Sequence, residues 1–245
     1  MVRVCNLSFV YDKENVLENV SFEYDKSDFL AIVGPNGGGK STLLKLILGL
    51  LKPTSGKVEL SSHEIGYVPQ NTMPSGEFPI SVLDVALMGR LKNNRFGFYK
   101  KEDRQKAFEA LEKVGMQEWA HKKIGELSIG QRQKVFIARA LACEAKLLIL
   151  DEPTASVDMQ GQVQIYNILK SLNSDKGVIV VSHDMDVVLG YATKIAYVSR
   201  TLFMHESSAL TKELFFEKLQ SNDKHNCPVD VFMANTCIHK TGEKC

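Results

Sequence analysis

The chain has 245 residues, of which 44% are hydrophobic and 24% charged, with 30 Lys and Arg against 29 Asp and Glu for a formal net charge of +1. That balance excludes a disordered or collagen-like chain, and near-neutrality leaves no global field to draw in nucleic acid or an anionic membrane surface. No apolar run approaches the ~20 residues needed to span a bilayer, and Met1–Val10 lacks the basic and apolar regions of a signal peptide. A cytosolic location is expected, with any attachment to a membrane supplied by a partner. The five cysteines (Cys5, Cys143, Cys227, Cys237, Cys245) are odd in number and irregular in spacing, which argues against a disulfide framework.

In chain order, Val2–Val10 alternates as a strand does, Asp12–Asn15 reads as a turn and Val20–Tyr24 as a second strand. Phe29–Val33 is a short, wholly apolar run, the mark of a strand covered on both faces. A glycine-rich loop follows, then an apolar-periodic helix over Ser41–Leu50 that Pro53 and Gly56 bring to an end. Lys57–Leu60 and Ile65–Val68 read as short strands. Ser81–Met88 and Lys101–Val114 are amphipathic helices, and Ser128 stands where a cap belongs before a helix over Ile129–Cys143. Leu147–Leu150 and Val178–Val181 are two more wholly apolar strands, separated by a helix over Met159–Leu172. Asp186–Tyr191 reads as helix, Lys194–Ser199 and Leu202–His205 as strands, and Leu210–Gln220 as a last helix before a polar tail. The expected fold is α/β: a parallel core sheet, an antiparallel N-terminal β subdomain, and an inserted helical subdomain over about 80–143. The domain is expected to span 1–220, with a separate tail over 221–245.

The most specific pattern is Gly34-Pro-Asn-Gly-Gly-Gly-Lys40-Ser41-Thr42, a G-x-x-x-x-G-K-[ST] loop directly after a buried strand and directly before a helix. Gly34, Gly37, Gly38 and Gly39 let backbone N–H groups converge on a phosphate, and Asn36 lies in the same loop. Lys40 supplies a full charge to the β- and γ-phosphates, and the Ser41 hydroxyl suits Mg²⁺. Downstream, Leu147-Leu-Ile-Leu150 ends in Asp151-Glu152, two carboxylates at the rim where ligands of parallel sheets bind. Asp151 suits Mg²⁺, and Glu152 suits polarising a water. Val178–Val181 likewise runs into Ser182-His183-Asp184, which sets His183 beside the same rim.

Leu127-Ser128-Ile129-Gly130-Gln131 adds a fourth element, and with it the order of motifs resembles the ATP-binding cassette (ABC) ATPases over residues 2–215. The resemblance implies roles for matching positions. Tyr11 stacks on adenine, and Gly34–Thr42 form the Walker A loop. Gln70 touches Mg²⁺ and the water. Ser128, Gly130 and Gln131 of the signature meet the ATP held by a second subunit. Asp151 and Glu152 are the metal carboxylate and catalytic glutamate, Asp158 belongs to the D-loop, and His183 is the switch histidine. ATP and Mg²⁺ are the implied ligands, and a homodimer of cassettes the implied motor. The sequence departs from the family pattern at three places: Ile129 in place of a glycine, Gly38 where a small residue is usual, and Ser27-Asp28 in place of a Gly-Glu turn.

A single cassette of this size resembles the ATPase subunits of bacterial importers. Glu77–Arg90, followed by Phe96-Gly-Phe98, is similar to the corresponding stretch of zinc/manganese-type importers, where it forms the groove for an integral-membrane permease; from the residues alone it is an amphipathic helix with an exposed arginine. Import of zinc or manganese is therefore expected. An importer of iron chelate, haem or cobalamin is the alternative, and a soluble ABC ATPase without a transport role the next. The implied setting is the cytoplasmic face of the plasma membrane, held by the permease, with a periplasmic or surface metal-binding protein as an indirect partner and no nucleic acid. In the tail, His225, Cys227, Cys237 and His239 are soft ligands of the kind zinc takes, though not at zinc-finger spacing. Trp119 and Phe215-Phe216 read as core, and the Lys100-Lys101 and Lys122-Lys123 pairs as solvated helix ends.

Overall fold

In chain order the elements are β1 (Val2–Tyr11), β2 (Glu14–Tyr24), β3 (Phe29–Val33), α1 (Lys40–Ile47), β4 (Ser55–Leu60), β5 (Ile65–Val68), α2 (Val82–Leu87), α3 (Lys101–Lys113), α4 (Ile129–Ala142), β6 (Leu147–Asp151), α5 (Met159–Leu172), β7 (Gly177–Val181), α6 (Met185–Val188), β8 (Lys194–Ser199) and β9 (Thr201–Glu206). The computed structural model describes residues 1–70, 79–93 and 99–206. The stretches read as Phe96-Gly-Phe98, the Leu210–Gln220 helix with Phe215-Phe216, and the tail with His225, Cys227, Cys237 and His239 lie outside the described residues, as does Glu77. The chain divides into two compact units, one formed by Met1–Ser61 with Val181 onward and one by Ser62–Val180. It crosses from the second to the first within β7.

In the first unit, β1 lies between β2 and β4 in an antiparallel three-stranded sheet. The β1–β2 connection is tighter than the sequence suggests. Asp12 (φ 45°) and Lys13 (φ 75°) both take left-handed backbone, the two-residue turn whose twist matches antiparallel strands. Tyr11 therefore pairs with Glu14, and β2 starts six residues earlier than expected. β3 is buried at every position and runs parallel to β8, which pairs antiparallel with β9. At the Ser27-Asp28 departure, Asp25 Oδ1 accepts from both the N–H and the hydroxyl of Ser27, and Asp28 Oδ2 pairs with Lys194 at 2.9 Å. α1 stops at Ile47 rather than Leu50. Gly49 (φ 69°) supplies the left-handed residue that ends helices, and the Leu50 N–H returns to the Lys45 carbonyl at 2.8 Å. The terminator is thus Gly49, ahead of Pro53 and Gly56.

In the second unit, β5 and β6 run parallel, pairing Ile65 with Leu147 through Val68 with Leu150, and β7 lies beside β6. Both β6 and β7 are buried at every position, as their apolar runs require. Ser81 caps α2, accepting the Asp84 N–H at 3.1 Å, an interaction worth about 1 kcal/mol. The buried faces of α2 (Val82, Val85, Ala86), α3 (Ala107, Ala110, Leu111) and α4 (Val135, Ile137, Ala138) form the helical core. Arg90 corrects the reading of an exposed arginine: it is 4% exposed. Its Nε donates to Asp103 Oδ1 at 3.1 Å, and its Nη1 donates to the Ala142 carbonyl at 2.9 Å and Glu144 Oε2 at 2.8 Å. The preceding Gly89 is needed for that reach, since a Cβ there would sit 2.1 Å from the Arg139 carbonyl oxygen. Trp119, expected in the core, is half-buried in a short 3₁₀ turn, Gln117–Trp119. α6 is shorter than expected, ending before Gly190. The antiparallel sheet, the parallel strands and the interposed helices bear out the mixed α/β expectation.

Candidate functional site

The phosphate-type loop belongs to the first unit. It leaves β3 through Gly34 (φ 145°) and enters α1 through Gly39 (φ 100°), both in backbone that side chains rarely adopt. A Cβ on Gly34 would lie 2.1 Å from the Val198 carbonyl oxygen, and one on Gly38 2.7 Å from the same atom. The loop therefore rests on the main chain of the β8–β9 hairpin. The Arg200 N–H, at its tip, donates to the Gly38 carbonyl at 3.0 Å, and the Arg200 carbonyl accepts the Glu18 N–H at 2.8 Å. Residue types did not reveal this support, because it is made by backbone. At Gly38, where a small residue is usual in the family, glycine is the residue the space admits.

Lys40 is 6% exposed, and its ammonium donates to the Gly34 and Pro35 carbonyls, each at 2.9 Å. The cation thus closes over its own loop. Lys40, Ser41 and Thr42 form the first turn of α1 behind Gly39, an N-cap residue with no side chain of its own, and the amides at such a helix start face an anion. Asn36 and Gly37 form the exposed crest of the loop. Tyr11, at the end of β1, is 62% exposed, with its ring 6.5 Å from that of Phe9: an outward aromatic face suited to stacking. His183 follows β7 and is exposed. Its neighbour Ser182 is buried, donating its N–H to the Ile32 carbonyl at 3.1 Å and accepting the Asp184 N–H at 3.0 Å. Those two bonds fix the backbone on either side of His183.

The second unit carries the carboxylates. Asp151 is the last residue of β6 and 5% exposed. Burial raises the pKa of the neighbouring Tyr67 phenol, and the Asp151 charge adds to the rise. Glu152 turns left-handed at φ 48°, which ends the strand and is a strained state for a residue with a side chain. Its Oε2 accepts from Gln70 Nε2 at 2.6 Å. Ser128 and Gln131 make a reciprocal cap at the start of α4: the Gln131 N–H reaches Ser128 Oγ at 3.3 Å, and the Ser128 N–H reaches Gln131 Oε1 at 3.0 Å. The S-x-x-Q pattern carried that signal in the sequence. Ile129 is the first helical residue and 37% exposed, so its branched side chain meets no crowding. Asp158 caps α5 by accepting the Gly161 N–H at 2.7 Å.

Residues 17–155 match the ABC transporter family, and the chain belongs to that family of ATP-binding, ATP-hydrolysing cassettes. It is 43% identical over 220 residues to a probable metal transport system ATP-binding protein of Chlamydia pneumoniae, covering 84% of this chain and 90% of that one. It is 38% identical to a zinc uptake system ATP-binding protein of Listeria innocua (85% and 86% covered) and 38% identical to a manganese transport system ATP-binding protein of Halalkalibacterium halodurans (91% and 93%). Among solved structures, an inward-facing ABC transporter described as of metal-chelate type aligns with a TM-score of 0.80 at 35% identity, covering 95% and 88%. A dimeric cassette bound to ADP and Pi aligns with a TM-score of 0.72 at 28% identity, covering 86% and 100%. Among the described residues, no helix is long and apolar enough to cross a membrane.

Proposed function

We propose that this chain is the ATP-hydrolysing subunit of an importer for a divalent metal ion, zinc or manganese. The observation that carries this reading is identity of 38–43% across 84–91% of the chain with relatives named for metal, zinc or manganese transport. In this reading two copies form a homodimer, held by integral-membrane permease subunits at the cytoplasmic face of the membrane. A periplasmic or surface metal-binding protein delivers the ion, and nucleic acid plays no part. The metal-chelate description of the aligned transporter supports a second reading, import of a chelated metal such as an iron chelate, haem or cobalamin.

ATP stacks its adenine on the exposed ring of Tyr11. The loop amides of Gly37, Gly38 and Gly39 and those at the start of α1 (Lys40, Ser41, Thr42) take its phosphates, with Asn36 at the crest. Lys40 exchanges the Gly34 and Pro35 carbonyl oxygens, which occupy its ammonium in this structure, for phosphate oxygens. Ser41, Gln70 and Asp151 offer a hydroxyl, an amide oxygen and a carboxylate, a hard oxygen set that fits Mg²⁺ better than a soft metal. Gln70 commits its amide nitrogen to Glu152, so its oxygen is the atom left to offer. When bound, Mg²⁺ neutralises charge on the β- and γ-phosphates. Glu152 takes a proton from the attacking water, and the Gln70 bond holds its carboxylate in one orientation. His183 hydrogen-bonds the γ-phosphate. The partner's Ser128, Gly130 and Gln131 close on the same phosphate, with Asp158 beside them, so that two ATP molecules are buried between two subunits.

Uptake of radiolabelled zinc and manganese tests the reading in cells carrying the wild-type chain or Glu152→Gln. Loss of uptake of one of these ions in the variant is the expected result. Unchanged uptake of both, with loss of iron-chelate or cobalamin uptake, would favour the second reading.

A further inference from the structure

Val157 lies between two glycines of the second unit. Its Cγ1 is 2.5 Å from the position a Cβ would take on Gly161 and 3.4 Å from the one it would take on Gly130. Gly161 is in the first turn of α5 with ordinary helical backbone, and Gly130 is in the first turn of α4. A glycine inside a helix is unfavourable unless something needs the space. At Gly161 the Val157 side chain fills that space. Val157 itself is 9% exposed and held along its main chain. Its N–H donates to the Thr154 carbonyl at 3.1 Å, and its carbonyl accepts from Gln162 Nε2 at 3.1 Å. Ser156 before it takes a left-handed φ of 66°, and Asp158 after it is fixed by the Gly161 N–H.

We propose that Val157 is a positioning residue that wedges the signature turn, at Gly130, against the Ser156–Asp158 segment so that the two move as one body. The inference rests on the dimeric reading above and deepens it. Ser128, Gly130, Gln131 and Asp158 are the residues assigned to the partner's nucleotide, and they stem from two separate helix starts. A side chain seated on Gly161, at ordinary contact distance from the Cβ position of Gly130, lies between those starts and adds to the Lys134 Nζ to Gln164 Oε1 bond of 2.7 Å that joins the same two helices. Close-packed contacts of this kind transmit displacement rather than absorb it. Val157 touches no nucleotide; it fixes the spacing of the groups that do.

Val157→Ala removes the wedge without adding a clash or a charge. The expected result is a fall in ATPase kcat of roughly ten- to a hundredfold, the scale of an ångström-sized misplacement. The affinity of the isolated chain for Mg-ATP by calorimetry should stay unchanged, because the phosphate loop is untouched. ATP-driven dimerisation of Val157→Ala in the Glu152→Gln background should weaken by a similar factor in sedimentation. Val157→Thr, of the same shape, should retain most of kcat. Gly161→Ala, whose methyl meets Val157 Cγ1 at 2.5 Å and Asp158 Oδ1 at 2.9 Å, should lose activity, and Val157→Ala/Gly161→Ala should regain the part due to the Val157 contact. These two arms keep the test open should Val157→Ala alone fold poorly. Wild-type kcat and dimerisation in Val157→Ala would overturn the proposal, as would strictly additive losses in the double variant. Failure of Glu152→Gln itself to dimerise with ATP would instead bring down the dimeric reading.

Discussion

Gln70 and Glu152 share a 2.6 Å hydrogen bond from side-chain amide nitrogen to carboxylate oxygen across 82 residues of chain. A bond to an ionised group contributes about 1.5–3 kcal/mol. Here it aims a carboxylate that stands on strained, left-handed backbone directly after a buried strand. Orientation is what a general base needs before its pKa matters.

Replacing that carboxylate with an amide removes proton acceptance and little else. Glu152→Gln should bind Mg-ATP with near-native affinity and lose about 10²–10⁴-fold in turnover. Phosphate release and calorimetry on the same preparation check both halves. Turnover close to native would remove Glu152 from the role of base.

Lys40 is held by two loop carbonyls that water can satisfy when the ammonium is gone. Lys40→Ala should therefore fold normally and lose roughly ten- to a hundredfold in ATP affinity, the worth of a charge-assisted contact. An unchanged dissociation constant would contradict the phosphate contact.

Two neighbouring glycines of the loop should respond differently. A methyl on Gly38 meets the Val198 carbonyl oxygen at 2.7 Å and the Pro35 carbonyl oxygen at 3.0 Å, whereas one on Gly37 meets nothing within 4 Å. Gly38→Ala should distort the loop at a cost of about 1–3 kcal/mol and weaken ATP binding. Gly37→Ala carries only the strain of its φ of 77°, about 1–2 kcal/mol, with no clash. Thermal melts and calorimetry of the pair separate space from backbone. Equal ATP affinities in the two variants would deny the clash any part in shaping the loop.

Arg90 ties the segment after α2 to both Asp103 and Glu144. The Lys100 N–H, then Arg90, hold the Asp103 carboxyl below its ordinary pKa, and the hydrogen bonds from Arg90, then Lys106, do the same for Glu144. Because the folded values are depressed, the stability these groups contribute is complete above the ordinary carboxylate pKa of ~4 and is lost as pH falls through the lower folded values. Arg90→Ala should melt at a lower temperature at neutral pH, and its melting temperature should fall less on acidification below pH ~4 than that of the wild type. Identical slopes in the two chains would show that the arginine does not set those carboxyls.

The residues that declare chemistry by type were legible without coordinates. The Gly34–Thr42 loop, the apolar runs of β3, β6 and β7 and the Ser128–Gln131 cap each carry a local pattern that one stretch of sequence contains. What stayed hidden depends on partners far along the chain. Arg90 looked like a solvated charge because Glu144 lies 54 residues away. The left-handed turns at Glu152 and Ser156 left no mark, since neither residue type favours that backbone. Nothing in the sequence marks Val157, because the two glycines near it belong to different helices.

The prop beneath the phosphate loop has an evolutionary corollary. Arg200 holds Gly38 through a backbone N–H that every amino acid except proline possesses, and the Val198 carbonyl beneath Gly34 and Gly38 is one that every amino acid possesses. Arg200 itself stands at a left-handed φ of 61°, so the residue there can drift toward glycine, asparagine or aspartate while its mechanical duty persists, and a saturation scan should register proline, which deletes the amide, together with the β-branched residues that resist this backbone. Related cassettes can share this brace with no letter in common at that position.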